Sequence, residues 1–356
     1  PFRYAWLVNM KQATRPKLLQ KKLLKSEVTR PQSAKQTVVI VSPALASANN
    51  GNWQTAKRYR QLLSSNFRVR LLSEWDGSKL DTVLIALHAR RSHSSIAAWH
   101  AMHGSQGLVV VLTGTDLYRD IKHDENAQQS LQFASRLIVL QSMGLQELPE
   151  SLQAKTSVVL QSTTSRLTLA KTRRTTRVVM VGHLREEKSP RTLFEAAALL
   201  AKHRDIQIQH IGAAHDQALA NMAEKTASLY PQYQFKGALS YPQTRHQIQL
   251  AHVLVHTSVM EGGAHVIMEA ICSGVPVIAS RIAGNVGMLG EDYAGLFPVG
   301  DATALANMLV RFRQDAHFAS LLKAQCAQRA PLFSAEHERK ALLTIVESAI
   351  AARLLA

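Results

Sequence analysis

The chain has 356 residues, 46% of them apolar, and a formal charge of +17. That length can bury the cores of two α/β domains. Two cysteines, Cys272 and Cys326, are too few for a disulfide framework. No apolar run reaches the roughly 18–20 residues of a membrane span, and no signal-peptide pattern opens the sequence, so the expected compartment is the cytoplasm.

Residues 1–36 hold nine Lys/Arg and one acid, which leaves +9 for the other 320 positions. Within them, Lys17-Leu-Leu-Gln-Lys-Lys-Leu-Leu-Lys25 has the spacing of a short basic amphipathic helix between Pro16 and Pro31. The segment is read as a disordered basic extension. With much of the charge gathered there and no aromatic-and-basic recognition motif elsewhere, nucleic acid is not an expected partner. The remaining positive field suits small anionic substrates.

From Thr37 a regular alternation begins. Apolar runs at 38–41, 69–72, 83–87, 108–112, 137–140 and 158–160 are separated mostly by helix-length polar or amphipathic segments. Such runs indicate parallel strands covered on both faces, hence a Rossmann-like domain over 37–162. Residues 163–176 are polar and basic without periodicity and read as a linker. The pattern restarts at 178–181 and continues through 206–211, 233–235, 253–256, 277–279 and 296–297. This predicts a second Rossmann-like domain over 177–330, and a last helix within 331–356, from about Ser334, that packs back on the first domain. The fold class is therefore α/β, two Rossmann-like domains facing across a cleft, with ligands beyond the carboxyl ends of the strands.

Five post-strand regions are candidates for chemistry. Ser42-Pro-Ala-Leu-Ala-Ser-Ala-Asn-Asn-Gly-Asn-Trp53 is a long polar loop before a helix expected from about Gln54. Its Asn49, Asn50, Gly51 and Asn52 suit an anionic acceptor. It has neither P-loop nor Gly-x-Gly-x-x-Gly spacing. Next, His88-Ala-Arg-Arg91 places His88, Arg90 and Arg91 at a strand end, with planar donors matched to phosphate oxygens. Thr115 and Asp116 in Thr113-Gly-Thr-Asp116 line the same cleft, or Asp116 caps the following helix.

In the second half, Gly182-His-Leu-Arg-Glu-Glu-Lys188 offers Arg185 and Lys188 to a leaving diphosphate, a loop salt bridge to Glu186 or Glu187 being the alternative. Finally, Glu261-Gly-Gly-Ala-His-Val-Ile-Met-Glu269 sets two carboxylates eight positions apart. Gly262 and Gly263 delay the helix to about Ala264, leaving N–H groups of Ala264 and His265 for a phosphate. Glu261 then lies outside the helix and Glu269 more than a turn inside it. Phosphates in the middle with hydroxyls at both ends describe a nucleotide sugar. His100 and His103 have no third ligand nearby and no zinc spacing is present, so neither a metal nor another cofactor is expected.

The Glu261…Glu269 spacing with Gly262-Gly263, the Gly182…Arg185…Lys188 loop and Gly274-Val-Pro-Val-Ile-Ala-Ser280 resemble the retaining GT-B glycosyltransferases of the glycogen-synthase-like type. The resemblance implies that Arg185 and Lys188 neutralise the diphosphate, Glu261 touches sugar hydroxyls and Glu269 holds the ribose. Arg185, Lys188 and Glu261 are thus the catalytic candidates. The family's Gly-Arg-Leu reads Gly182-His-Leu184 here, with Arg185 one step further on. Asn49-Asn-Gly-Asn-Trp-Gln-Thr-Ala56, Ala86-Leu-His-Ala-Arg-Arg-Ser92, Val111-Leu-Thr-Gly-Thr-Asp-Leu-Tyr-Arg-Asp120 and Leu140-Gln141, together with Gly182-His-Leu-Arg185, resemble more closely the selenosugar synthases of selenoneine biosynthesis. That likeness implies a UDP-sugar donor (UDP-GlcNAc or UDP-glucose), selenophosphate as acceptor and a new carbon–selenium bond. The alternatives are a hexosyltransferase of the same fold acting on a hydroxyl, and a non-catalytic anion- or nucleic-acid-binding protein.

Overall fold

The computed structural model describes residues 35–43 and 51–354. The stretch 1–34 and the loop residues Asn49 and Asn50 lie outside the described residues. All twelve apolar runs form strands, and each begins within three residues of its expected start. The first half contains β1 (Thr37–Val41), β2 (Arg68–Leu72), β3 (Asp81–Leu87), β4 (Leu108–Leu112), β5 (Arg136–Val139) and β6 (Thr156–Val158). The second contains β7 (Thr176–Val181), β8 (Ile206–Ile211), β9 (Tyr233–Phe235), β10 (Val253–His256), β11 (Val277–Ser280) and β12 (Leu296–Phe297).

The sheets have the orders β2-β1-β3-β4-β5-β6 and β12-β11-β10-β7-β8-β9, and every neighbouring pair is parallel. The central strands are buried along their whole length, as in β1 and β4, because helices cover both faces. Four of those helices start at an aspartate: Asp124, Asp216, Asp301 and Asp315 each accept a hydrogen bond from the backbone N–H three residues on, which satisfies a donor the helix start leaves bare. Strand order reverses between β1 and β3 in one sheet and between β7 and β10 in the other. At such switch points the loops diverge and leave a crevice.

The helix after β1 spans Gly51–Leu63, three residues earlier than expected. Thr55 Oγ1 donates to the Gly51 carbonyl at 2.9 Å, so Gly51 and Asn52 belong to the first helical turn, not to a flexible loop.

The last helix, Ala335–Leu354, starts where Ser334 Oγ accepts from the His337 N–H at 3.2 Å. It lies on the first sheet, and Leu342, Ile345, Val346, Ala349 and Ile350 complete the core formed by Val38, Ile40, Tyr59, Val83 and Ile85. Farther along, Arg353 Nη1 donates to the carbonyls of Asp81 and Thr82 at 3.0 and 2.9 Å. The chain thus leaves the second domain and closes over the first. Leu342 is fully buried in this core, so Leu342→Ala should destabilise the protein by about 2–5 kcal/mol. Urea unfolding measures this, and a loss below about 1 kcal/mol would mean the helix adds little to that core.

Candidate active site

Segments that follow β1, β4, β7 and β10 meet around a cavity of about 420 Å³, a size normal for a small-molecule site. Gly182, Arg185, Lys188, Glu261, Gly263, Ala264, His265 and Glu269 line it from the second domain. Gly51, Asn52, Thr55, Arg58 and Thr113 line it from the first.

On the second-domain side, Lys188 Nζ donates to Glu261 Oε1, and Ser258 Oγ donates to the same oxygen at 2.8 Å. Burial alone would raise the Glu261 carboxyl, but the Lys188 ammonium and His256, whose Nε2 is 3.5 Å away, outweigh it. Glu261 is therefore held well below the usual carboxylate range and stays ionised. The alternative loop salt bridge is not formed: Glu186 pairs with Arg191 at 3.1 Å, and Arg185 is exposed with no side-chain partner among the described residues. Two cations, one held by a carboxylate and one free, therefore face the cavity.

Gly262 packs against the first domain so closely that a Cβ there would lie 2.2 Å from the Thr113 carbonyl oxygen. A side chain at this position would force the two domains apart. The helix that follows, His265–Ile271, is seven residues long, with Ala264 at its cap. So short a helix has a small macrodipole, and the charge facing the cavity comes mainly from side chains. Glu269 sits inside this helix with its side chain 8% exposed, 3.6 Å from Nη1 of the buried Arg245. Burial raises its pKa above the usual glutamate value, and Arg245 opposes that rise.

The first-domain candidates fall into two groups. Gly51 and Asn52 reach the cavity. His88, Arg90, Arg91, Thr115 and Asp116 are not among the residues that line it. Asp116 is fully buried and accepts from the backbone N–H groups of Ala89, Thr113 and Gly114 at 2.9–3.0 Å. It ties the loops after β3 and β4 together, instead of capping a helix or lining the cavity. Arg90 Nε is taken by Asp120 at 2.8 Å. Arg91 is exposed. His88 has φ of 73°, unusual for a non-glycine residue. Its Nδ1 accepts from the Arg91 N–H at 3.3 Å, so Nε2 carries the proton toward Thr115 Oγ1, 3.1 Å away. Burial keeps this imidazole neutral. Arg90 is thus tied into a network with Asp120, while the Arg91 side chain is exposed away from the cavity lining.

The cation the first domain does bring to the cavity is Arg58, one turn beyond Thr55 on the same helix face. Its Nε donates to Glu338 of the last helix at 3.0 Å, and its Nη2 lies 3.5 Å from His265 Nε2. Gln161 joins the same wall, with Oε1 2.5 Å from His265 Nε2 and Nε2 donating to Thr55 Oγ1 at 2.7 Å. The i, i+3 spacing of Thr55 and Arg58 is the sequence signal for this face. No local signal connects it to Glu338, 280 residues away.

Residues 161–330 match the family model described as glycosyl transferases group 1. Several solved structures share the fold over nearly the whole chain. Sucrose-phosphate synthase from Thermosynechococcus elongatus superposes on 89% of this chain and 100% of its own, with TM-score 0.72 and 18% identity. A glycosyltransferase from Rickettsia africae covers 88% of this chain and 98% of its own, with TM-score 0.66 and 13% identity. HepE from Anabaena, solved with UDP and glucose, covers 88% and 100%, with TM-score 0.64 and 16% identity. A search of curated proteins found no match. The chain therefore has the GT-B fold, with a carboxyl-terminal half, residues 161–330, that matches the group 1 glycosyl transferases.

Proposed function

We propose that the protein is a glycosyltransferase that moves a sugar from a UDP-sugar, UDP-GlcNAc or UDP-glucose, to selenophosphate, in selenoneine biosynthesis. Selenium attacks the anomeric carbon as its bond to the diphosphate oxygen breaks. Water then cleaves the selenium–phosphorus bond, and the products are a selenosugar, UDP and phosphate. Arg185 and Lys188 stabilise the charge that builds on the departing diphosphate. Glu261, fixed by Lys188 and Ser258, receives the sugar hydroxyls, and Glu269 receives the ribose. The match of 161–330 to glycosyl transferases supports the transfer reaction, and HepE, which holds UDP and glucose in the same fold, supports the donor class.

One observation carries the acceptor: among the described residues the cavity wall is rich in cations, and three of its four candidate bases, His183, His265 and Glu261, are held below the working pH. A base works best with a pKa near the working pH. Burial, with Arg185 beside it, pushes His183 down to about 4. Burial and the adjacent Arg58 push His265 down to about 3. Glu261 is a weaker base still, and Glu269 is paired with Arg245. A sugar hydroxyl gains little from such a wall. Selenophosphate arrives already anionic with a strongly nucleophilic selenium, and needs charge more than deprotonation.

Mass spectrometry of products from selenophosphate and a panel of UDP-sugars tests the assignment, with a selenosugar and selenophosphate-dependent UDP release expected. Equal turnover with a plain sugar acceptor, and indifference to selenophosphate, would show a hydroxyl-directed hexosyltransferase instead. Arg185→Gln and Lys188→Met should each lower kcat by about 10²–10³; steady-state rates that stay within a few-fold would remove both from the chemistry.

The low pKa of His265 also has a sign. The folded state keeps the ring neutral to about 3, while the unfolded chain protonates near 6.5. Stability contributed by the neutral ring is therefore present above about pH 6.5 and declines as pH falls toward 3. His265→Gln should lose about 1–2 kcal/mol less than wild type between pH 7 and pH 5. Parallel acid-induced losses in denaturant titrations would contradict it.

A further inference from the structure

We infer that Arg58 is the group that binds the anionic part of the acceptor, and that Glu338 positions it for this. The inference rests on the transferase reading above and identifies the cation that reading needs on the first domain. The arginine pair Arg90-Arg91 is not on the cavity wall, whereas Arg58 is. It projects from the helix Gly51–Leu63 of the first domain and lines the same cavity as Arg185 and Lys188 of the second. A donor diphosphate already has those two cations on its own side. A second anion, arriving across the cavity, meets Arg58.

The hydrogen bonds leave its fork available. Glu338 is fully buried and takes Arg58 Nε at 3.0 Å, while the arginine side chain is 16% exposed. The same carboxylate also accepts from the Ser162 N–H at 2.7 Å and Ser162 Oγ at 2.5 Å, so it is fixed from three directions. Thr55 Oγ1 donates to the Gly51 carbonyl and accepts from Gln161 Nε2. Gln161 Oε1 must therefore accept from His265 Nε2, which places the ring proton on that nitrogen. With Nε2 protonated, the Arg58 Nη2 group 3.5 Å away has no acceptor there. Both terminal amino groups keep N–H donors for a bidentate contact with a phosphate-class anion. A buried carboxylate on Nε and a donor chain beside Nη2 is an arrangement that aims a guanidinium without consuming it.

Titration calorimetry of inorganic phosphate into the UDP-saturated full-length protein tests this independently of turnover. Wild type should bind phosphate. Arg58→Gln should weaken it about ten- to a hundredfold, with UDP affinity unchanged within about twofold as the check on folding. Arg58→Lys, which keeps charge but loses the fork, should fall between them and serves if the glutamine variant does not fold. Glu338→Gln should also weaken phosphate while leaving UDP in place. No phosphate binding by wild type, unchanged binding by both Arg58 variants, or an equal loss of UDP affinity would overturn the inference; the last would assign Arg58 to the donor. If wild type binds phosphate through Arg58 yet ignores selenophosphate in turnover, the proposed reaction fails and the anion site stands.

Discussion

A buried carboxylate needs its charge compensated by partners, and Glu338 finds them in places that shape the whole molecule. It is drawn from the last helix, and it takes Arg58 from the first domain's opening helix and Ser162 from the crossing between the domains. These three segments are remote in sequence. They can satisfy that charge together only if the chain returns from the second domain and lies across the first. The apolar face of the same helix makes this return favourable by filling the core over Val38, Ile40 and Val83. Packing brings the helix back, and the carboxylate makes its register specific.

The contact between the domains has a similar division. Two of its close approaches are made by glycines of the second domain. Gly262 lies on the Thr113 carbonyl, and Gly287 lies so near Gln141 that a Cβ would be 1.9 Å from its Oε1. Both glycines stand beside loops that carry or support the cavity. The spacing of the two cavity walls therefore depends on glycine backbone pressed against a carbonyl and a side-chain amide, contacts with little tolerance.

Much of this was legible in the sequence, and what was not has a physical reason. The strands were visible because a parallel sheet covered on both faces needs uninterrupted apolar runs, and 108–112 or 253–256 can be little else. The second-domain wall of the cavity was visible because its residues are local: Glu261, Gly263 and Glu269 lie within nine positions, and Lys188 needed a strand end to reach them. Arg90 and Arg91 looked like an anion site because two adjacent cations concentrate charge. Adjacency does not reveal what neutralises them, and Asp120, thirty residues on, holds Arg90. Arg58 looked like any cation on a polar helix face. Its placement depends on Glu338 and on the donor chain through Gln161, long-range contacts that no window of sequence contains.

The charged groups around the cavity also bear on the acceptor proposed above. Apart from the free Arg185, the charged groups named above are partnered or held away from neutral-range titration: Glu261 by Lys188 and His256, His265 by burial beside Arg58, and Glu269 by its pairing with Arg245. A site wired in this way has fixed charges and few movable protons. Fixed charges stabilise a transition state without reorganising during the reaction, and that favours chemistry in which the nucleophile brings its own electrons and the leaving group takes its own charge. Selenophosphate meeting a nucleoside-diphosphate sugar is a reaction of that type. On this view the first domain contributes a rigid cation, while the second contributes the carboxylate and cations around the bond that breaks.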